Sequence, residues 1–362
     1  MSVLAEKSMR RRLLGPAVVL SAALVLSSCS GGDSSGGSAE AGSDGGLEVV
    51  RVLGPVSMSL NVAFVGEELG YFEDEGIEIE EQDAGDMAES AFLSNGQTDV
   101  VFTGATEILT GISAGVDMRI LYEYWYTAAE GVYVSEDSPI TSPTELKGKT
   151  VGLVSDSDLQ FLKIVLQKVG LQESDVQTIV VGDQGGVIAD ALKSGTIAAV
   201  SGSTGEERSL AGAGVPLRDI TPKEVKDTPG ETFVAMADTV SEKPDLMQRF
   251  FRAWAKASYA STVNEEVLLK MGDRNIPEAT MDRVQAMIGV EQAHKTDPPN
   301  GIYGELRPEV WQRVSDSLFE VQSLQQPVQV ADFLDDQFIT GANEFDRAQV
   351  AADVKEWADS NL

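Results

Sequence analysis

Five short loops carry most of the side chains that could do chemistry. They are Gly54-Pro55-Val56-Ser57-Met58-Ser59, Thr103-Gly104-Ala105-Thr106, Tyr124-Trp125-Tyr126-Thr127, Ser155-Asp156-Ser157-Asp158 and Ser201-Gly202-Ser203-Thr204. Each follows a run that reads as a β-strand, and most lead into a run that reads as a helix. In open α/β sheets, ligands bind beyond the carboxyl ends of the strands. Helix N-termini there leave backbone N–H groups free, and neighbouring hydroxyls add donors and acceptors. Ser57, Ser59, Thr103, Thr106, Ser155, Asp156, Ser157, Ser203 and Thr204 thus form one candidate ligand-binding set. Trp125 and Tyr126 add flat rings able to stack on a planar molecule. Taken singly, each Ser, Thr or Asp also reads as a plain N-cap, and Trp125 as hinge or core packing. Recurrence of the pattern at one edge is what favours a site.

The chemistry on offer is binding rather than catalysis. The sequence contains no G-x-S-x-G elbow, no P-loop and no G-x-G-x-x-G opening a helix. Glu206-Glu207 and Asp335-Asp336 read as solvated helix faces. His294 is the sole histidine, in a polar helix end, and Cys29 the sole cysteine, so a His/Cys zinc site is excluded and no metal or cofactor is expected.

Cys29 closes the run Leu26-Ser27-Ser28-Cys29, behind Lys7, Arg10, Arg11, Arg12 and the apolar stretch Leu13–Leu26. A basic start, a short apolar core and small residues at the cut describe an export signal. The run resembles a bacterial lipobox, whose cysteine is lipidated and becomes the mature N-terminus. The apolar stretch falls short of the roughly 20 residues a membrane-spanning helix needs. The expectation is an exported, lipid-anchored protein on the outer face of a cell membrane. Arg10-Arg11-Arg12-Leu13-Leu14 also faintly resembles a twin-arginine signal. Residues 30–46, rich in Gly, Ser and Asp, read as a flexible tether.

The signal holds four of the 27 basic residues and one of the 58 acidic ones, so residues 30–362 carry a net charge of −34. Such acidity argues against nucleic acid and anionic lipid as partners. Beyond the tether, strand and helix signals alternate. Strands are expected at Glu48–Leu53, Ile77–Glu80, Val100–Phe102, Arg119–Tyr126, Thr150–Leu153, Val176–Val181, Ile197–Val200 and Glu231–Ala237. Helices are expected at Leu60–Leu69, Met87–Leu93, Ala105–Ala114, Asp158–Val169 and Val187–Ser194, then at Pro244–Val263, Thr280–Gly289, Pro308–Val321 and Asp346–Ser360. Ser142-Pro143-Thr144-Glu145 has the form of a capping box with proline at the first helical position. Alternating strands and helices imply an α/β fold with mainly parallel sheets.

Four further stretches resemble a known family. Gly70-Tyr71-Phe72-Glu73-Asp74-Glu75-Gly76-Ile77, Gly96-Gln97-Thr98-Asp99-Val100, Leu146-Lys147-Gly148-Lys149-Thr150-Val151-Gly152 and Ala191-Leu192-Lys193-Ser194-Gly195-Thr196-Ile197-Ala198-Ala199 fall in the order found in substrate-binding proteins of ABC importers, in the nitrate/sulfonate/taurine and thiamine-precursor group. Ala198 stands where that group usually has Asp. The resemblance implies a two-lobe type II periplasmic-binding fold. Residues 1–29 would be the signal and 30–46 the tether. Residues 47–127 and 236–362 would form lobe 1 and residues 135–230 lobe 2, with hinge crossings at 128–134 and 231–235. It also implies a monomeric receptor that closes on a small molecule and hands it to an ABC permease and its ATPase. Eukaryotic relatives that make the thiamine pyrimidine use a cysteine-rich motif and histidines, which this chain lacks. The five loops contain no Lys or Arg, so the expected ligand is a neutral or weakly basic planar molecule, such as a thiamine-type pyrimidine. It would stack on Trp125 or Tyr126 and bond to Asp156 or Ser157. The alternative is a sulfonate, taurine or nitrate, served by Arg51, Arg119 or Arg208. Alternatives of other classes are a hydrolase or transferase on the same scaffold, or a sensor lipoprotein.

Overall fold

The computed structural model describes residues 46–54, 61–82, 87–212, 214–275, 298 and 300–362. Cys29, Ser57, Ser59, His294 and the helix expected over Thr280–Gly289 lie outside the described residues. Ten strands are described: β1 (Glu48–Leu53), β2 (Ile77–Gln82), β3 (Val100–Thr103), β4 (Met118–Glu123), β5 (Glu130–Ser135), β6 (Thr150–Leu153), β7 (Gln177–Val180), β8 (Ala199–Ser203), β9 (Leu217–Asp219) and β10 (Thr232–Met236). They form two sheets, ordered β2-β1-β3-β10-β4 and β7-β6-β8-β5-β9. In the first, β1 pairs in parallel with β2 and β3, while β10 runs against β3 and β4. In the second, β6 pairs in parallel with β7 and β8, while β5 runs against β8 and β9. Each sheet is therefore mixed, with four strands in one direction and one reversed. The reversed strand is the one that arrives from the other lobe.

Sequence pattern explains where each strand lies. Val100-Val101-Phe102 is apolar throughout and all of β3 is buried, as befits a central strand covered on both faces. Ile77-Glu78-Ile79-Glu80 alternates, and β2 is an edge with Ile77 buried and Glu78 and Glu80 exposed. The helix Pro244–Val263 starts on proline and buries Leu246, Met247, Phe250, Phe251, Trp254 and Ala257, a stripe at helical spacing. That stripe meets Phe72, Phe102, Tyr122 and Phe233 in one ring cluster. The second lobe is packed mainly by aliphatic side chains, including Val132, Val151, Leu162, Val165 and Leu166.

The chain passes to the second lobe between β4 and β5 and returns between β9 and β10. The two passages lie side by side. Backbone N–H groups of Tyr124 and Trp125 both donate to the Glu231 carbonyl at 3.0 Å, that of Gly230 to Trp125 at 3.0 Å, and that of Ala128 to Lys226 at 2.9 Å. A Cβ at Gly230 would sit 2.4 Å from the Thr127 carbonyl oxygen, so this approach requires glycine. Beneath the first passage, Glu123 is fully buried and accepts from Arg307 Nε and the Arg307 backbone at 2.7 Å and from Trp311 Nε1 at 2.8 Å. Among the described residues, no helix is long and apolar enough to cross a membrane.

Candidate functional site

A cavity of about 910 Å³ lies between the lobes. The first lobe contributes the helix Glu89–Ser94, the corner from Thr103 to Glu107 and the helix Pro308–Glu320. From the second come the helix Asp158–Lys168, the end of β8 at Ser203 and residues 224–230. Ala128, Ala129, Glu130 and Glu231 of the two passages complete the wall. Seven of the wall's residues are Asp or Glu, and two, Lys168 and Arg313, are basic. Lys168 is paired with Glu224 at 3.3 Å.

Two strand ends share one device, an acid three residues beyond a serine that folds back on it, and a third strand end keeps the spacing without the serine. After β6, Asp158 Oδ2 accepts from the Ser155 backbone at 2.6 Å and from Ser155 Oγ at 2.8 Å. After β8, Glu206 Oε2 accepts from the Ser203 backbone at 2.7 Å and also from Ser203 Oγ. After β3 the equivalent position is Gly104, where a Cβ would come within 3.0 Å of Glu107 Oε2. Having no hydroxyl there, the first lobe leaves Glu107 to bond its own backbone N–H.

The electrostatics follow from that crowding. Glu107 keeps solvent-accessible surface toward the cavity, but protein encloses it closely enough that burial pushes its carboxyl up to about 7, with Glu130 and Glu89 adding to the push. Burial also raises Glu89, against a hydrogen bond from Thr103. Glu89 Oε2 is buried and has no hydrogen-bond partner. Glu130 is raised by burial and by the charge of Asp158, opposed by its own N–H and by Lys226. Asp158 is raised by burial despite Ser155, with Glu206 adding to the rise. No group of three His, Cys, Asp or Glu among the described residues is arranged to hold a metal ion.

Of the residues singled out by sequence, Thr103, Thr106 and Ser203 lie on the cavity wall. Ser155, Asp156 and Ser157 are exposed and do not line it; Ser155 instead holds Asp158. Thr204 is buried, bonding the Ala129 carbonyl at 3.1 Å and Tyr133 at 3.3 Å. The rings expected to stack on a ligand are turned inward. Trp125 is 4% exposed and stacks on Tyr124 within the first passage. Tyr126 is 5% exposed; its hydroxyl bonds Gly304 N–H at 2.9 Å and the Ile302 carbonyl at 3.2 Å. Neither ring reaches the wall, because both are needed to fix the passage to the first lobe. Arg51 pairs with Asp99 and Arg119 with Asp117, away from the wall. The one aromatic residue among those lining the wall is Phe161.

The sequence matches the family model described as NMT1/THI5 like over residues 59–265. The chain belongs to this family. Solved structures similar to this NMT1/THI5-like chain share the periplasmic binding fold. The periplasmic aliphatic sulphonate binding protein SsuA from Escherichia coli is 16% identical, with a TM-score of 0.60 over 79% of this chain and 97% of that one. The alkanesulfonate-binding protein SsuA from Xanthomonas axonopodis pv. citri, bound to MOPS, is 17% identical, with a TM-score of 0.59 over 80% and 98%. The desulfurization enzyme DSZB is 16% identical, with a TM-score of 0.59 over 81% and 98%. No curated protein sequence matches the chain.

Sequence reasoning had not singled out Glu89, Glu107, Glu130 or Phe161. Glu107 carried a signal, since it stands three residues after Gly104 just as Asp158 follows Ser155 and Glu206 follows Ser203. Glu130 opens β5 and pairs in register with Ser203. Only the antiparallel return of the chain brings it to the cleft, and local pattern does not encode that.

Proposed function

We propose that this NMT1/THI5-like protein is a lipid-anchored solute receptor of an ABC importer. One observation supports the reading above others: a cavity of about 910 Å³ walled by both lobes and by two passages paired side by side. Two lobes on such a paired strap can close over a small molecule by hinge bending. The run ending at Cys29 supports export and lipid anchoring, and the receptor would then pass its ligand to a permease driven by an ATPase. The wall carries neither His nor Cys, so a Ser–His or Cys–His pair is not available among the described residues, and binding without chemistry is the reading adopted. A thiamine-type pyrimidine remains a candidate ligand, now bonded by wall residues rather than stacked on Trp125. A sulfonate is the second reading. It is favoured by the sulfonate-binding neighbours and by Arg313 on the wall.

Solution scattering tests the receptor role. A ligand that raises the melting temperature, by about 2.7 kcal/mol of linkage at 100 Kd, is expected to shrink the radius of gyration. A tight ligand that leaves the scattering curve unchanged would overturn hinge closure. Cys29→Ser is expected to move the protein out of the membrane fraction or leave it as unprocessed precursor; normal processing with membrane partition would refute the anchor.

A further inference from the structure

The wall of the cleft is built against anions. Seven carboxylates face two basic side chains, and one of those, Lys168, already has Glu224 at 3.3 Å. The N-termini of the helices that follow β3, β6 and β8, the usual uncharged device for holding an anion, are taken. Asp158 occupies the turn after β6, Glu206 the turn after β8 and Glu107 the turn after β3, each a carboxylate of the chain itself. An entering anion would have to displace these groups or lie against them.

Neither Glu107 nor Glu89 has a basic side chain among the groups that act on it. Glu89 Oε2 is buried with no donor, although buried polar atoms are paired in the great majority of cases. Glu130 and Glu89 lie near enough to Glu107 for their charges to raise its proton affinity. No three acids converge on a metal-sized point among the described residues. Between the carboxylates run apolar patches from Ile108, Phe161, Ile164 and Val225.

We infer that the cleft takes an organic cation, an ammonium, amidinium or protonated heterocycle, whose positive group lies against Glu107 with Glu89 and Glu130 beside it and whose apolar body rests on Phe161. This inference rests on the receptor reading. It assigns the ligand's charge class, and it makes Glu107 and Phe161 the residues that determine specificity. Of the ligands considered above, it retains a basic pyrimidine and discards sulfonate and nitrate.

Calorimetry with the full chain tests it, using thiamine and benzamidinium as cation probes and hexanesulfonate and nitrate as anion probes. At least one cation is expected to bind, and Glu107→Gln to weaken it about tenfold, the scale of one charge-assisted hydrogen bond. Arg313→Ala, which removes a positive charge from the wall, is expected to strengthen cation binding. Both cations keep their charge between pH 6 and pH 8, whereas Glu107 titrates near 7 in the company of Glu130 and Glu89, with Lys226 and Asp158 facing Glu130. Affinity should therefore fall about tenfold from pH 8 to pH 6, and Glu107→Gln should remove most of that slope, the rest belonging to Glu89, Glu130 and Asp158, which burial also raises. The variant removes a carboxylate from among like charges, so its ligand-free melting temperature should match or exceed wild type, which excludes misfolding as the cause. Binding of an anion probe, lost in Arg313→Ala and kept in Glu107→Gln, overturns the cation inference and leaves the receptor reading standing. Failure of both cations to bind also overturns it. The receptor reading is then judged by whether either anion contracts the scattering profile.

Discussion

In the first lobe the sheet is packed by rings, and in the second by aliphatic side chains, although the two sheets share one strand order. Trp254 lies 4.7 Å from Phe233, 5.7 Å from Phe250 and 5.8 Å from Tyr124, centroid to centroid, and Tyr122 stacks on Phe251 at 5.2 Å. The second lobe's core holds one buried ring, Tyr133. Edges differ as well. The outer edge of β4 is bridged by Gly304 and Leu334, whereas Val180 on edge strand β7 is 55% exposed. The cleft-facing corners differ in the opposite sense. Serines hold Asp158 and Glu206 in the second lobe, while Gly104 leaves Glu107 without such a partner in the first. Strand order thus sets where the corners lie, while core chemistry and corner chemistry vary independently of it. The lobe packed by rings carries the less satisfied acid.

The largest test of this contrast is a pair of core truncations. Trp254→Ala should cost about 3–5 kcal/mol and Leu166→Ala, its aliphatic counterpart, about 2–4 kcal/mol, read by denaturant unfolding. Equal losses would erase the distinction between ring and aliphatic packing. Trp254→Phe should cost far less than Trp254→Ala, because Trp254 Nε1 has no hydrogen-bond partner to lose. Next comes Glu123→Ala, which leaves Arg307 half-buried beside a lost carboxylate; about 3 kcal/mol or more of stability should go. Third, Gly230→Ala forces a contact of 2.4 Å with the Thr127 carbonyl and should cost about 1–3 kcal/mol. If the paired passages act as the hinge, it should also weaken ligand-induced contraction in scattering more than the core variants do. The smallest effect is electrostatic. The Glu107 carboxyl is raised on folding, so the folded state binds the extra proton between the ordinary carboxylate range and about 7. The stability this gives is fully present at low pH and is lost as pH rises through about 7. Melting temperature of the ligand-free protein should therefore drop between pH 6 and pH 8, and Glu107→Gln should flatten the drop.

Much of the architecture was legible from local pattern. Glu48–Leu53, Thr150–Leu153 and Pro244–Val263 form as expected, and Ser142 caps the turn at Pro143–Leu146 with Glu145 closing the box. Gly70 and Gly76 of the family stretch both take positive φ, 73° and 69°, which suits glycine. The strand expected to run to Tyr126 ends at Glu123, since Tyr124 and Trp125 turn away to donate to Glu231. β9 was not anticipated, because three residues, Leu217-Arg218-Asp219, carry no periodicity. Mainly parallel sheets were expected, and in each sheet four strands do share one direction, but a fifth is reversed. The reversed strand of each is contributed across the passages, and no local signal reports strand direction. The site followed the same rule. The strand-end argument pointed to Thr103, Thr106 and Ser203, which lie on the cavity wall, and equally to Trp125, which is buried in the first passage, because an aromatic cluster at a strand end looks the same whether it faces a ligand or anchors a hinge.

The reversed strands also set an order of assembly. All five strands of the second sheet, β5 to β9, come from one uninterrupted stretch, residues 130–219, whereas the first sheet cannot be completed until β10 at residues 232–236 has been made. As the chain leaves the ribosome, β3 and β4 therefore wait for the strand that joins them while the second sheet already has every member. The lobe synthesised later is then the first able to finish folding, and protease resistance in stalled nascent chains should arise there before it arises in the aromatic lobe.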